Sequence, residues 1–392
     1  MSSRFDLKRV MLHQYRSIAA CDVVLGPLTI LVGPNGSGKS NFLDALRLTA
    51  QTLSENLDNA LRERGGIGEV RRRSRGHATH FGVKLSFLAA GSHGQYAYQV
   101  EATGHGDYQV SHEELCVRKS GLIGTQYFVV RDGELLDSSQ RVMPPITSDR
   151  LYLVAAAGID AFRPVFDGLS AISVYNLNPD VMRQLQKPES GELLRRDGSN
   201  VASVIGRLHR DRPATKERIE AYLGQIVDGV TGVDRRGLGV WEAIEFRQRV
   251  VGDQQPWAFQ DISMSDGTLR ALGVLVALFG GATALASPVG IEEPEAALHP
   301  AAAGLLLESL RDSSEGRQVL VTTHSPDLID TPSVTPAELL AVRASGGLTT
   351  LGRVDQAGQK AMRESLFTPG ELLRVDQLLP AVDTPEQREL FS

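Results

Sequence analysis

Residues 28–42 read LTILVGPNGSGKSNF, a buried strand, a glycine loop and a helix start in immediate succession. Gly33, Gly38, Lys39 and Ser40 stand at the spacing G-x-x-x-x-G-K-[ST] of a phosphate-binding loop. The spacing has a mechanical reason. Glycines let the backbone curl until several N–H groups point at one anion, and the helix that follows turns its positive dipole end toward the same place. In such a cradle Lys39 neutralises the β- and γ-phosphates of a nucleotide, and the Ser40 hydroxyl ligates the magnesium that accompanies them. The stretch predicts an α/β fold with this strand near its centre.

A chain of 392 residues, 42% of them apolar, can bury one large α/β core or two ordinary ones. Its formal charge of -6 and pI near 5.9 exclude a wholly basic nucleic-acid coat, so any polyanion contact falls to a local patch. Cys21 and Cys116 stand alone without C-x-x-C spacing, which suits a reducing cytosol, offers no metal site and predicts two buried thiols. Arg4, Lys8 and Arg9 precede no apolar run of secretory type, so a cytoplasmic location is expected. Residues 271–291 carry no charge and match a membrane span in length. Gly280-Gly281 and Ser287-Pro288 divide them, which predicts a buried helix, a turn and a buried central strand instead.

Outward from the loop, residues 7–13 and 22–24 read as short strands that feed the central one. Arg16 and Ser17 follow directly on a strand end, and read either as a solvated turn or as groups that reach a bound nucleotide. After the loop, apolar residues at Phe42, Leu43, Leu46, Leu53 and Leu57 mark a helix that continues weakly to Leu61 and ends before Gly65-Gly66. Arg62, Arg64, Arg71, Arg72, Arg73 and Arg75 then crowd into the strongest basic run of the chain, either a solvated face or a contact surface for a phosphate backbone. From Phe81 to Val130, segments such as VKLSFLA, YAYQVEA and TQYFVVR predict an antiparallel meander. Pro144-Pro145 mark a break, after which residues 153–169, 179–186, 201–208 and 216–227 carry helical patterns, around a charged loop at 189–200. Strand alternation returns at 241–250, WEAIEFRQRV, and no heptad pattern lasts long enough for a coiled coil.

Ser265-Asp266-Gly267 opens an apolar helix through a small-residue turn, which builds a second N-terminal anion site. At 289–295, VGIEEPE, an apolar strand ends in two adjacent carboxylates, Glu292 and Glu293, that project to opposite sides. One can hold a magnesium-bound water while the other polarises the attacking water; without the loop at 33–40 the pair would read as a solvated acidic turn. Residues 318–323 form another buried strand, with His324 at its end in position for a γ-phosphate hydrogen bond. The tail from 331 has one more strand, ELLAVRA, and no assignable motif.

Taken in this order, the motifs resemble those of the ATP-binding-cassette ATPases of the SMC/RecF/OLD-like branch, most closely the stand-alone bacterial AAA/ABC ATPases of that group. The likeness covers residues 1–85 and 240–345. GPNGSGKSN, that is Gly33, Pro34, Asn35, Gly36, Ser37, Gly38, Lys39, Ser40 and Asn41, resembles the Walker A motif. MSDGTLR is similar to the signature motif, VGIEEPEAALHP to Walker B with the D-loop, and VTTHSP to the H-loop. Arg16 and Ser17 resemble the family's nucleotide-contacting pair after the first strand. The resemblance implies ATP and Mg2+ as cofactors, ATP hydrolysis with Glu293 as general base, and Glu292, where the family's motif has Asp, as the magnesium partner through water. The Q-loop glutamine has no counterpart between Gly65 and Gly82.

The fold so implied is a P-loop NTPase of ABC-ATPase type, with a central mostly parallel sheet, an antiparallel β subdomain, a short helical lobe and no long coiled coil. Residues 1–144 would form the nucleotide-binding lobe, 145–240 a helical insertion, and 241–392 the part that completes the ATPase domain. In the family, one subunit's P-loop and a second subunit's signature turn close on the same ATP. The resemblance therefore implies an ATP-dependent head-to-tail homodimer in which Ser265 and Gly267 of one copy face the γ-phosphate held by Lys39 of the other. Three uses of such a motor compete. One is a DNA-associated ATPase in genome maintenance or anti-phage defence, with Arg71, Arg72, Arg73 and Arg75 on the backbone. Another is a regulatory subunit that controls a partner nuclease, toxin or other effector. The third, a transporter ATPase, sits poorly with the missing glutamine, and no membrane is implied.

Overall fold

Two strands, β1 (Ser3–Tyr15) and β2 (Ile18–Val24), form a hairpin ahead of β3 (Leu28–Val32), whose five residues are all buried, as in a strand covered on both faces. The structure, a computed structural model, describes residues 3–73, 79–89, 91–104, 106–119, 124–147, 150–281, 285–331 and 333–381. Helix α1 (Lys39–Ser54) follows the glycine loop and buries Phe42, Leu43, Leu46 and Leu53 as their spacing predicts. It stops short of Leu57, because the Asn56 side chain accepts from the Asn59 amide at 2.7 Å and caps a separate short helix, Leu57–Arg62.

The meander comprises β4 (His80–Ala89), β5 (Ser92–Gly104), β6 (Asp107–Lys119), β7 (Thr125–Arg131) and β8 (Glu134–Ser138), each antiparallel to the next. It extends the main sheet, because β4 pairs along β1. The rest of the chain adds β9 (Ser173–Tyr175), β10 (Val230–Leu238), β11 (Trp241–Gln248), β12 (Trp257–Gln260), β13 (Leu285–Ala286), β14 (Val289–Glu292), β15 (Val319–Thr323), β16 (Leu339–Ser345) and β17 (Leu348–Arg353). The main sheet runs β8-β7-β6-β5-β4-β1-β2-β17-β16-β3-β15-β14-β9, with β13 beside β1. From β16 to β9 its pairings are all parallel. Three motif-bearing strands, β3, β15 and β14, therefore end side by side at the carboxyl edge, where open α/β sheets bind ligands.

Residues 145–240 supply helices, among them Arg163–Ser170, Val201–Asp211 and Pro213–Ile226, and also the edge strand β9. A small antiparallel sheet, β10-β11-β12, contains the expected 241–250 alternation as its middle strand. Its neighbour β10, VTGVDRRGL, gave no strand signal because half of it is solvated charge and glycine. Residues 271–291 divide as expected, into the helix Asp266–Phe279 and the strands β13 and β14. Among the described residues no helix is long and apolar enough to cross a membrane. Two cores flank the sheet: Leu43 and Leu46 of α1 pack with Leu7, Phe81 and Phe128 on one side, and Ile30 and Val32 pack with Leu272, Leu275 and Leu306 on the other. Cys21 is buried as predicted, but Cys116 is exposed, on a meander strand with solvent on that face.

Candidate nucleotide site

The loop after β3 has φ of 72° at Gly36 and 100° at Gly38, in the left-handed region that favours glycine. A Cβ on Gly38 would collide with the side chain of Thr349, and one on Gly33 with the carbonyl of Val342. The buried Lys39 ammonium donates to the carbonyls of Gly33 at 2.8 Å and Pro34 at 2.9 Å. Burial lowers its pKa, while Glu293 and Glu295 pull in the other direction, which places those carboxylates within electrostatic reach. Pro34, Asn35, Gly36 and Ser40 are exposed, and Ser37 Oγ is buried without a hydrogen-bond partner. Ser40 lies in the first turn of the sixteen-residue α1, which has no acidic residue there, so the positive dipole end is left uncompensated. A glycine cradle, a lysine and an exposed hydroxyl fit a magnesium nucleotide.

Ser17 and Asn41 meet on the rim of this loop. Asn41 Nδ2 donates to Ser17 Oγ at 2.7 Å, Ser17 Oγ lies 2.7 Å from Thr349 Oγ1, and Thr349 donates to the Ser37 carbonyl at 2.8 Å. Thr349 went unnoticed in the sequence. Its strand β17 and the glycine turn before it, with φ of 57° and 79° at Gly346 and Gly347, could have marked a hairpin, but not the place of that hairpin under the loop.

Arg16, with φ of 48°, points its Nη2 at Asp44 Oδ2, 2.9 Å away. Arg47 and Arg64 reach the same carboxylate at 2.9 Å each, and the Tyr15 hydroxyl donates to it at 2.8 Å. Burial alone would raise the pKa of Asp44; Arg64, Arg16 and Arg47 override it and hold the carboxyl at about 2. Arg64 therefore leaves the basic run in which the sequence grouped it, with a side chain only 1% exposed. Of the others, Arg73 is exposed and pairs with Glu69 one turn earlier, Arg71 bridges to Tyr15, and the Arg72 amide bonds the Gln14 carbonyl at 2.7 Å. Arg75 lies outside the described residues.

Glu292 ends β14 opposite Thr322 of β15, and its Oε1 lies 3.0 Å from Arg196 Nη2. At Glu293 the chain adopts φ of 46°, a left-handed turn unusual for a residue with a side chain, and Glu293 Oε1 lies 3.2 Å from His324 Nδ1. The Glu293 amide bonds the Thr322 carbonyl at 3.0 Å and its carbonyl accepts from Arg270 at 3.2 Å, which fixes the turn from two sides. Glu295 accepts from Thr323 Oγ1 at 2.5 Å; burial pushes its pKa up, and its Oε2 is buried without a hydrogen-bond partner. Sequence reasoning passed over this third carboxylate.

Ser265 is exposed and caps the helix Asp266–Phe279, its Oγ accepting from the Thr268 amide at 3.1 Å. Gly267 is buried, and a Cβ there would strike the carbonyl oxygen of Ala297, in the turn that follows Glu295. Asp266 pairs with Arg183 at 2.6 Å. The loop at 33–41, Arg16, Ser17, Glu292, Glu293 and His324 thus gather at one end of the sheet, whereas Ser265 and Gly267 open a helix packed against the turn after β14.

A parallel sheet with the glycine loop, the Glu-Glu pair and the histidine at the ends of adjoining strands defines an ABC-type ATPase of the SMC/RecF/OLD branch. The chain belongs to the family described as AAA domain, putative AbiEii toxin, Type IV TA system, whose model matches residues 28–127 and 145–330. The DNA replication and repair protein RecF of Vibrio vulnificus (strain YJ016) is 49% identical over 43 residues, 11% of this chain and 12% of that protein. RecF of Gloeobacter violaceus is 43% identical over 74 residues, 19% of either chain. The OLD nuclease of Thermus scotoductus is 48% identical over 42 residues, 11% of this chain and 8% of that one. The chain therefore spans less than a fifth of each of these relatives. Among solved structures, an SMC head bound to the C-winged helix domain of ScpA superposes with a TM-score of 0.57 at 13% identity, over 91% of this chain and 99% of that one. A Pyrococcus furiosus SMC head with an extended coiled coil, bound to the C-terminal domain of ScpA, gives 0.56 at 11% identity, over 92% and 99%. At such identities the likeness is one of fold.

Proposed function

We propose that this protein binds ATP with magnesium and hydrolyses it, and that two copies close head to tail around the nucleotide. The observation that carries the reading is the Glu293–His324 contact of 3.2 Å on the strand ends that adjoin the Lys39 loop. Lys39 and the loop amides would hold the β- and γ-phosphates, and Arg16 and Ser17 would flank them. Ser40 and, through water, Glu292 would hold the metal, which when bound offsets the charge on the phosphates. Glu293 would take a proton from the attacking water, with His324 orienting its carboxylate and bonding the γ-phosphate.

The dimer reading draws on the exposed Ser265, which opens a fourteen-residue helix whose N–H groups suit an anion. Light scattering on Glu293→Gln tests it: with ATP-Mg the mass should be twice the 42.4 kDa of one chain, and a single-chain mass with and without nucleotide overturns it.

The likeness to a DNA replication and repair protein and to a nuclease supports a DNA-associated role in genome maintenance; the same reading includes a cytoplasmic location or a use in anti-phage defence, with Arg71, Arg72 and Arg73 as the backbone contacts. A second reading, a regulatory ATPase that controls a partner nuclease or toxin, draws on the family description, which names a toxin.

A further inference from the structure

We propose that Arg196 is a positioning residue of the metal site, which reins in the long arm of Glu292. The inference rests on the reading of Glu292 as magnesium partner given above. A glutamate carries one methylene and one rotatable bond more than the aspartate of the family's motif, so its carboxylate sweeps a larger volume unless something holds it. Arg196 does so: its Nη2 lies 3.0 Å from Oε1, on a side chain that is 12% exposed. The bond uses Oε1, and Oε2 would be the oxygen to hold a metal-bound water.

The arginine is itself held. Its carbonyl accepts from the Asn176 amide at 3.0 Å and that of Asp197 from the Asn178 amide at 3.0 Å, so the loop is laid along the chain that leaves β9. Strand β9 pairs with β14 through Tyr175 and Ile291, one residue before Glu292. Within the loop, the buried Asn200 accepts from the Arg195 amide at 2.8 Å and donates to the Leu193 carbonyl at 2.8 Å, and Gly198 turns the chain at φ of 82°. The charged loop at 189–200 thereby acquires a task. The Arg196 side chain is 45% exposed, and an ion pair so open to water adds little to stability. Its place on a carboxylate at the strand edge that also carries the phosphate loop is one from which a side chain can orient a metal ligand.

The test follows a fluorescent ATP analogue as it binds while Mg2+ is titrated, in wild type, Arg196→Ala, Arg196→Lys, Glu292→Gln, Glu292→Asp and the double variant Glu292→Asp/Arg196→Ala. Binding without Mg2+ reports that each variant is folded. Arg196→Ala should raise the Mg2+ concentration at half-effect by roughly 10- to 100-fold. Arg196→Lys should recover part of the loss, because the contact needs a single donor. In the Glu292→Asp background the alanine change should have little effect, since the shorter arm needs no rein. An unmoved or lowered half-point in Arg196→Ala, with Glu292→Gln shifting it, overturns the proposal alone. An unmoved half-point in Glu292→Gln overturns the assignment of Glu292, and the proposal falls with it.

Discussion

Two groups of carboxylates stand near the phosphate loop and are built in opposite ways. Asp44, on α1, is met by Arg16, Arg47, Arg64 and the Tyr15 hydroxyl. Glu292 and Glu293 are each met by one cationic or potentially cationic side chain, Arg196 and His324, and Glu295 by a hydroxyl. The first group is over-neutralised and largely closed to water; the second is rich in negative charge, and Glu293 is 38% exposed. Charge in the first group ties α1 to the chain around it, whereas the second keeps an excess of negative charge at the strand ends.

The largest expected effect is on the chemical side. Glu293→Gln should lower phosphate release by roughly 10²- to 10⁴-fold, the usual loss with a general base, while nucleotide binding persists. A loss below tenfold would erase the contrast. Asp44→Ala should act on stability instead, by about 3–5 kcal/mol in chemical denaturation, because it strands buried guanidinium charge. The acid limb sharpens this point. Asp44 sits at about 2 in the folded protein against 3.8 unperturbed. Its contribution, about 2 kcal/mol, is therefore present above pH 4 and lost as pH falls toward 2. In Asp44→Asn that stretch of the pH–stability curve should flatten. The smallest effect concerns the basic run: Arg72→Ala with Arg73→Ala should reduce the salt slope of duplex-DNA binding by about 2, at roughly 0.9 per phosphate contact. Arg64→Ala should leave that slope alone and lower stability, since Asp44 has already taken up its charge.

The parts legible from sequence were those in which a few neighbouring residues carry the whole signal. Gly33 to Ser40, the Glu292-Glu293 pair and His324 each follow a short apolar strand, so local pattern sufficed to find them and to order them. The meander was legible by the same means, since its strands alternate between buried and solvated faces. Contacts between distant segments were not legible. Asp44 looked like any helix residue until Arg16 and Arg64 converged on it, and Arg64 was grouped with exposed arginines for the same reason. Thr349 reaches Ser37 across more than three hundred residues, and Arg196 reaches Glu292 across about a hundred. β9 contributes only three residues, too few for any alternation to show.

The strand that launches the phosphate loop has both of its sheet neighbours, β15 and β16, far downstream in the sequence, and Thr349 beneath the loop comes later still. During synthesis, therefore, the loop waits for segments that emerge far downstream of it. A chain cut off before residue 349 would lack the floor of its own phosphate loop, so the loop takes its shape only once distant downstream strands have folded back against it.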